Sequence, residues 1–286
     1  SIFLNINHKE YGDIVFKINP NDVKSFMIDV CEYKTREEFI HSIKNNLDIW
    51  KEDNPKQCNF FYDQYGAGNG KTYSIWQNIC DKYNEKTTHI ILTKQHSAKD
   101  VIYKEFKDQK KKGVLSVLED IQELNSKDTN LKQYIIKYKN NKGNDCLCII
   151  GTIDSFLWRI GKPNRGDIDL FKGLINSIVD GYVNVEKNGG IKYAEKTQLN
   201  KNTLITIDEG QDLPENYIKA VFQIMRETYI DVCLIGDKLQ SISHLKNAFT
   251  YISDLNEETY NNNYIKIIKS VPKNICRRFH HPKLME

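Results

Sequence analysis

Short apolar runs separated by polar stretches recur along the chain, and helical periodicity appears between most of them. Six runs rich in isoleucine, valine and aromatic residues predict buried strands, at residues 58–62, 88–93, 146–151, 202–209, 230–235 and 264–269. The segments between them predict helices at residues 73–80, 98–106, 152–159, 168–179 and 214–229. Strands that alternate with helices predict an α/β fold, with a parallel sheet covered by helices on both faces. A ligand site is then expected at the carboxyl ends of the strands.

Other segments carry patterns outside this alternation. Residues 13–18 and 25–33 predict strands, and a capping box at residues 35–38 predicts an amphipathic helix over residues 36–51. The polar, lysine-rich stretch 107–145 predicts two short helices, at residues 115–124 and 130–138, and a loop at residues 140–144. The predicted organisation is an N-terminal extension with its helix at residues 1–57, followed by one domain at residues 58–286. Short inserts lie at residues 107–145 and 161–202.

A glycine-rich segment follows the first of the six buried strands, with the sequence Tyr65-Gly66-Ala67-Gly68-Asn69-Gly70-Lys71-Thr72. A strand, a glycine-rich loop, Gly-Lys-Thr and a helix form the arrangement of a phosphate-binding loop. Glycines let successive backbone N–H groups turn toward one anion, and the helix N-terminus adds its positive dipole end. Lys71 would reach the β- and γ-phosphates, and the Thr72 hydroxyl would ligate Mg²⁺. Tyr65 stands where the usual pattern has glycine, and the alternative is a glycine-rich turn with a chance Lys-Thr.

Two carboxylates, Asp208 and Glu209, end the predicted strand at residues 202–209. A phosphate loop needs a carboxylate that holds the metal, and Asp208 is placed for this role. Glu209 beside it could polarise a water for attack on the γ-phosphate. The alternatives are a solvated strand end and a charge placed near the N-terminus of the helix that begins at Pro214. The phosphate loop in the same chain favours the catalytic interpretation.

Composition narrows the class of protein. The chain has 286 residues, of which 40% are hydrophobic and 28% charged, as in a soluble globular protein. Its mean hydropathy is −0.58, and the sequence contains neither a membrane-spanning apolar run nor a signal-peptide pattern in residues 1–20. We therefore expect an intracellular protein without membrane contact, in the cytoplasm or nucleus or of viral origin. The net charge of +3 is too small to establish nucleic-acid binding.

The seven cysteines lie mostly in apolar runs, which indicates reduced, buried thiols. Cys146 and Cys148 could form half of a metal site. However, alternation along a strand directs both thiols to one apolar face, and no second cysteine pair or nearby histidine completes a zinc set. The sequence therefore favours core packing for both.

The motifs, taken in order, resemble those of superfamily 1 helicases of the UvrD/Rep type. The phosphate loop resembles their motif I. Motif II is matched by Asp208-Glu209-Gly210-Gln211-Asp212, and motif III by Gly236-Asp237-Lys238-Leu239-Gln240-Ser241-Ile242. Residues 92–98 resemble motif Ia and residues 276–282 resemble motif IV. Residues 151–156 are similar to motif Ib, with Asp154 where the family commonly has histidine.

This resemblance implies a RecA-like P-loop NTPase domain that binds ATP and Mg²⁺. Joined to a second RecA-like domain, it would hydrolyse ATP and translocate on single-stranded DNA or RNA. The implied nucleotide-binding residues are Gly66, Ala67, Gly68, Asn69, Gly70, Lys71, Thr72 and Gln211, and the implied metal ligands are Thr72 and Asp208. The implied catalytic residues are Glu209, Gln240 and Arg278, with Arg277 as the alternative to Arg278. The implied strand-binding residues are Thr93, Thr152, Ser155 and Phe156, for which helix capping (Thr152, Ser155) and core packing (Phe156) are the alternatives.

The chain also departs from the family. Residues 25–50 contain no glutamine to read adenine, and the inserts are short beside the family's usual accessory subdomain. Motifs V and VI do not follow motif IV, so we expect the second RecA-like domain to lie outside this chain and the isolated fragment to be weakly active. An alternative function is a nucleotide-dependent nucleic-acid-binding or scaffold module without motor activity. Gln211 and residues 236–240 disfavour a third option, a P-loop kinase.

Overall fold

Ten strands and six α-helices lie in the part of the chain that the computed structural model describes, namely residues 2–8, 12–18, 58–125, 133–161, 169–183, 193, 197–240, 247–255 and 265–273. The strands are β1 (Ile2–His8), β2 (Gly12–Ile18), β3 (Cys58–Gln64), β4 (Thr88–Thr93), β5 (Glu119–Asn125), β6 (Tyr134–Lys139), β7 (Asp145–Thr152), β8 (Thr203–Ile207), β9 (Asp231–Gly236) and β10 (Ile265–Lys269). The helices are α1 (Lys71–Cys80), α2 (His96–Lys111), α3 (Ile153–Ile160), α4 (Leu170–Val179), α5 (Glu215–Thr228) and α6 (Ala248–Asp254).

Eight of these strands form one sheet in the order β10-β3-β9-β8-β4-β7-β6-β5. All neighbours from β10 to β7 pair in parallel, whereas β6 and β5 add an antiparallel edge. Strands β1 and β2 form a separate antiparallel pair. The predicted α/β fold with a mostly parallel sheet flanked by helices is therefore confirmed.

Each face of the sheet is covered by its own apolar cluster, because successive side chains of a strand point to opposite faces. On β8, Leu204 belongs to the cluster that contains α1 and α2, and Ile205 belongs to the cluster that contains α3 to α6. Every residue of β8 and β9 is buried, which explains why their sequences are continuous apolar runs instead of alternating patterns. In the described part of the chain, the helices are too short or too polar to cross a membrane.

Side chains fix where the helices on one face begin. The Thr152 hydroxyl caps α3 by accepting a hydrogen bond from the Ser155 backbone N–H. The Asp169 carboxylate accepts from two backbone N–H groups at the start of α4. At α6, Asn247 and Thr250 form a reciprocal capping box. These caps satisfy N–H groups that have no partner inside a helix, and the first of them agrees with the helix-capping interpretation of Thr152.

The two helices predicted at residues 115–124 and 130–138 are wrong. The structure has β5 and β6 there, and β6 extends the sheet by pairing with β7. Apolar residues in this stretch fit either period, but β6 buries Ile135, Ile136 and Tyr138 when it pairs. Neighbouring backbone groups on β7 then satisfy its hydrogen bonds, so tertiary pairing outweighs the local helical spacing.

The remaining predictions near the N-terminus have mixed outcomes. The strand predicted at residues 13–18 is confirmed as β2, and its partner β1 is a strand that the sequence pattern missed. The predicted strand at residues 25–33 and the predicted helix at residues 36–51 lie outside the described residues.

Helix α2 spans His96–Lys111 and is therefore longer at both ends than the predicted residues 98–106.

Trp76 is expected to anchor α1 to the rest of the fold. Its side chain is 1% exposed, its indole N–H donates to the Ile102 carbonyl at 3.1 Å, and its ring packs on Phe106. Trp76→Ala should lower the free energy of unfolding by roughly 3–5 kcal/mol, measured by denaturant titration. Trp158→Ala is the matched control, since Trp158 is 51% exposed, and it should change stability by less than about 0.5 kcal/mol. Equal losses in both variants would contradict this packing role.

Candidate active site

The glycine-rich loop and the two acidic motifs lie at one edge of the sheet. The loop follows β3, Asp208 follows β8, and Asp237 follows β9, which lies between the other two strands. These three strands run parallel, so their carboxyl ends meet at the same edge. The sheet topology therefore brings together segments that are far apart in sequence, as expected for a ligand site in an open α/β sheet.

Left-handed glycines shape the loop. Gly68 and Gly70 have φ angles of 74° and 79°, a region that side chains with a Cβ atom rarely occupy. Gly70 directly precedes α1, so the free N–H groups of the first turn of α1 belong to the same loop. An anion at this position would meet backbone donors and the positive end of the helix dipole.

Tyr65 occupies the first position of the loop without strain. Its backbone N–H donates to the Gly236 carbonyl at 2.9 Å, and its ring is fully buried. It also forms a parallel bridge with Lys273. The residue thus continues the sheet beyond β3 and does not take part in the turn, which explains why glycine is not needed there.

Lys71 and Glu209 form a close ion pair. The Lys71 ammonium lies 2.6 Å from Oε2 of Glu209, and the Gln211 side-chain amide donates to the same oxygen at 2.6 Å. Glu209 has a φ of 55°, an uncommon backbone conformation that is often found at functional sites. The structure therefore places the predicted catalytic base against the loop lysine.

Asp208 is buried at the end of β8, with 4% of its surface exposed. Its Oδ1 accepts the Glu209 N–H at 3.0 Å. The pKa of this carboxyl is raised to about 7, mainly by burial and next by the negative charge of Glu209, while the positive charge of Lys71 opposes the shift. Asp208 and the partly exposed Thr72, in the first turn of α1, supply oxygen donors, which fit the preference of Mg²⁺. Deprotonation of Asp208 would have to accompany metal binding.

Gln211 links the end of β8 to the end of β9. Its side-chain oxygen accepts the Asp237 N–H at 3.1 Å. A Cβ atom on Gly236 would lie 2.6 Å from this oxygen, so glycine is needed for the close approach. The Asp237 carboxylate in turn accepts the Leu239 N–H at 3.0 Å, which fixes the short turn that carries Gln240. The predicted motif II and motif III residues are thus in direct contact.

A cleft of about 550 Å³ opens beside this network. It is lined by Lys94, Gln95, Ala98, Glu209, Gln211, Asp212, Leu239 and Gln240. The same solvent-accessible space is therefore lined by Glu209, Gln211 and Gln240. Gln240 is partly exposed and can move toward a ligand there.

Lys94 was not among the predicted site residues. Its ammonium donates to both Asp154 carboxylate oxygens at 2.9 Å and to the Tyr217 hydroxyl at 2.7 Å. It also lines the cleft. The one signal in the sequence is its position directly after β4, whereas its partners on α3 and α5 are revealed only by the tertiary structure.

The structure places three of the four predicted strand-binding residues in the interior. Thr93, Thr152 and Phe156 are 0%, 3% and 0% exposed, so almost none of their surface is open to a partner. The Thr93 hydroxyl donates to the Gln95 carbonyl at 2.8 Å, Thr152 caps α3, and the Phe156 ring packs edge-on against Tyr193. These contacts favour the capping and packing interpretations. Ser155 is partly buried and accepts a hydrogen bond from the Thr152 hydroxyl.

The predicted catalytic residue Arg278 and its alternative Arg277 lie outside the described residues. Cys146 and Cys148 both pack in the buried cluster with α1 and α2, in agreement with the core-packing interpretation. Within the described ranges, no group of three or more histidine, cysteine or acidic side chains could hold a metal ion.

The fold and the glycine-rich loop define a P-loop NTPase. A family model described as an AAA domain matches residues 64–246, which include the loop and both acidic motifs. The chain therefore belongs to the AAA domain family, a P-loop NTPase family found in UvrD-like helicases. No curated protein matches the chain.

Asp208→Asn is expected to stabilise the nucleotide- and metal-free protein at pH 8. The folded-state pKa of about 7 exceeds the ordinary value of 3.8, so the folded protein keeps a proton that the unfolded chain releases. Stability therefore falls as pH rises from 4 to 7. Asparagine cannot ionise, so the variant should gain roughly 1–4 kcal/mol at pH 8 and little at pH 4.5, measured by denaturant titration.

The exposed Asp108 on α2 offers the matched control. Asp108→Asn should give a stability difference that does not grow with pH. A pH-independent difference for Asp208→Asn would show that burial does not raise the pKa of Asp208.

Proposed function

We propose that residues 58–286 form the N-terminal RecA-like ATPase domain of a UvrD-like superfamily 1 helicase, with residues 1–57 as an extension. The observation that carries this proposal is the shared carboxylate of Glu209. It accepts from Lys71 and from Gln211, each at 2.6 Å, and Gln211 accepts the Asp237 N–H. One hydrogen-bonded network thus joins the segments that resemble motifs I, II and III. Membership of the AAA domain family supports the nucleotide-hydrolysing part of the proposal.

ATP would replace Glu209 as the partner of Lys71. The backbone N–H groups of residues 67, 68 and 70–72 and the Lys71 ammonium would bind the phosphates, since the Gly66 and Asn69 N–H groups already donate within the protein. The freed Glu209 carboxylate would then accept the proton of the attacking water. Thr72 and Asp208 would hold Mg²⁺, which when bound offsets phosphate charge. Gln211 and Gln240 would respond to the γ-phosphate, and Arg278 would complete the charge stabilisation.

Single-stranded DNA or RNA and a second RecA-like domain are the partners that we propose. ATP held between two such domains would drive closure, and closure would drive movement along the strand. The cleft beside Gln211 and Gln240 is the open side of the site and suits a partner that approaches the γ-phosphate.

One observation favours the second candidate, a nucleotide-dependent nucleic-acid-binding or scaffold module without motor activity. Thr93, Thr152 and Phe156, three of the four side chains that the resemblance assigns to strand contact, are buried. A module of this kind would keep nucleotide binding while the strand has no effect on turnover.

Lys71→Ala and Glu209→Gln should separate binding from turnover. Lys71→Ala removes the charge that the phosphates require and should abolish ATP binding in calorimetry. Glu209→Gln should bind ATP at least as tightly as the original protein, because the competing ion pair is lost, while turnover falls roughly 10²–10⁴-fold. Lys104→Ala changes an exposed lysine of α2 and should alter neither. Unchanged ATP affinity in Lys71→Ala means that the loop is misassigned, and retained turnover in Glu209→Gln assigns the base elsewhere.

Strand-stimulated hydrolysis should distinguish the motor from the scaffold. ATPase rates of the full-length protein are measured with single-stranded DNA, with single-stranded RNA and without either. A motor requires that strand binding accelerate turnover, and we expect at least about tenfold stimulation. Nucleotide-dependent strand binding without stimulation would instead support the scaffold.

A further inference from the structure

The segment that follows β10 runs alongside the end of β3 and reaches the phosphate loop. We call residues 270–273 the β10 exit segment. The Ser270 N–H donates to the Tyr62 carbonyl and the Lys273 N–H donates to the Gln64 carbonyl, both at 2.9 Å. The exit segment thus continues the parallel pairing of β10 with β3, and it ends beside Tyr65 through the bridge at Lys273.

The Lys273 carbonyl is a double acceptor for the loop. It accepts the Gly66 N–H at 3.0 Å and the side-chain amide of Asn69. Asn69 is 7% exposed. An amide turned the other way would bring its oxygen against the carbonyl oxygen, and two acceptors repel, so the NH₂ group must face Lys273.

Asn69 lies between the two left-handed glycines, Gly68 and Gly70. Glycine loses more conformational freedom on ordering than any other residue. A loop with glycine on both sides of one residue therefore needs a fixed point, namely a contact that orders it before the ligand arrives. Without such a contact, the conformational entropy lost on ordering the loop weakens ligand binding. The buried side chain of Asn69 supplies that fixed point.

We infer that Asn69 is a positioning residue of the nucleotide site: by holding the middle of the phosphate loop on the Lys273 carbonyl, it keeps the loop N–H groups arranged for a nucleoside triphosphate before the ligand arrives. This inference rests on the proposed ATP-binding function. The unpaired side-chain atom of Asn69, its buried Oδ1, is an acceptor and cannot bind phosphate oxygens, so the Asn69 side chain acts through the loop instead of touching the ligand.

The Lys273 side chain has a different task. Its ammonium donates to the Tyr65 hydroxyl at 2.7 Å and lies 4.5 Å from the centre of the Tyr65 ring. Replacing this side chain leaves the backbone carbonyl in place. Lys273→Ala therefore tests the exit segment's side chain separately from its carbonyl.

ATP affinity of the Asn69 variants tests the inference, measured by calorimetry at pH 8 and pH 6 with Mg²⁺ and expressed relative to the original protein at each pH. Asn69→Ala loses the anchor and should bind ATP about tenfold more weakly at both values. Asn69→Asp keeps the shape but loses the donor at pH 8, and should bind more weakly still. Burial of this position and the facing Lys273 carbonyl oxygen both favour the neutral acid and raise the pKa of the introduced carboxyl. At pH 6 the protonated fraction can donate to the Lys273 carbonyl, so Asn69→Asp should recover affinity relative to pH 8 and Asn69→Ala should not.

Matched variants separate the possible failures. Asn176→Ala on α4 changes an exposed asparagine and should leave affinity unchanged, and Lys273→Ala should lower affinity less than Asn69→Ala does.

If Lys71→Ala abolishes binding while Asn69→Ala stays within about twofold of the original protein, the anchor role is overturned and the proposed function stands. If Lys71→Ala also binds normally, the proposed function itself fails. Pure loss of folding cannot explain affinity that returns at pH 6 in Asn69→Asp.

Discussion

A single oxygen of Glu209 accepts hydrogen bonds from two side chains that come from different parts of the chain. Lys71 belongs to the first turn of α1, and Gln211 to the short turn after β8. The Lys71 ammonium and the Gln211 side-chain amide nitrogen each lie 2.6 Å from that oxygen. This contact exists only because β3, β9 and β8 run parallel and end at the same edge. The buried apolar strands thus determine the geometry of charged groups that lie beyond their ends.

Tight packing under the turn after β8 keeps this contact in place. A Cβ atom on Gly210 would lie 2.6 Å from a Leu234 methyl group, and one on Gly236 would meet Gln211 and Phe249. Neither Gly210, which follows Glu209, nor Gly236 therefore admits a side chain. The left-handed backbone of Glu209 is strained, and such strain persists only where the surroundings fix it, so the apolar core on that face of the sheet supports the predicted catalytic carboxylate.

The sequence predicted the six parallel strands of the large sheet and the loop that follows the first of them, because both depend on local signals. Continuous apolar runs mark strands that are buried on both faces, and Gly-Lys-Thr before a helix marks a phosphate loop. The antiparallel strands β5 and β6 were predicted as helices, since their period is ambiguous until the pairing of β6 with β7 is known. The Lys94–Asp154 ion pair joins residues on separate elements, and the anchoring of Asn69 depends on a backbone carbonyl. Neither leaves a pattern in the sequence, and the burial of Phe156 likewise depends on tertiary packing.

The two outer strands of the large sheet differ from the central ones in a way that bears on self-association. Strand β5 carries exposed acidic residues, Glu119, Asp120 and Glu123, and its pairing shifts at a bulge where Asp120 has a φ of 49°. Strand β10 exposes Lys266 at the opposite edge. Charges and bulges disfavour the addition of another strand to a sheet edge. These features protect both outer strands of the described sheet from edge-to-edge aggregation. The candidate ligand site lies elsewhere, at the carboxyl ends of the parallel strands.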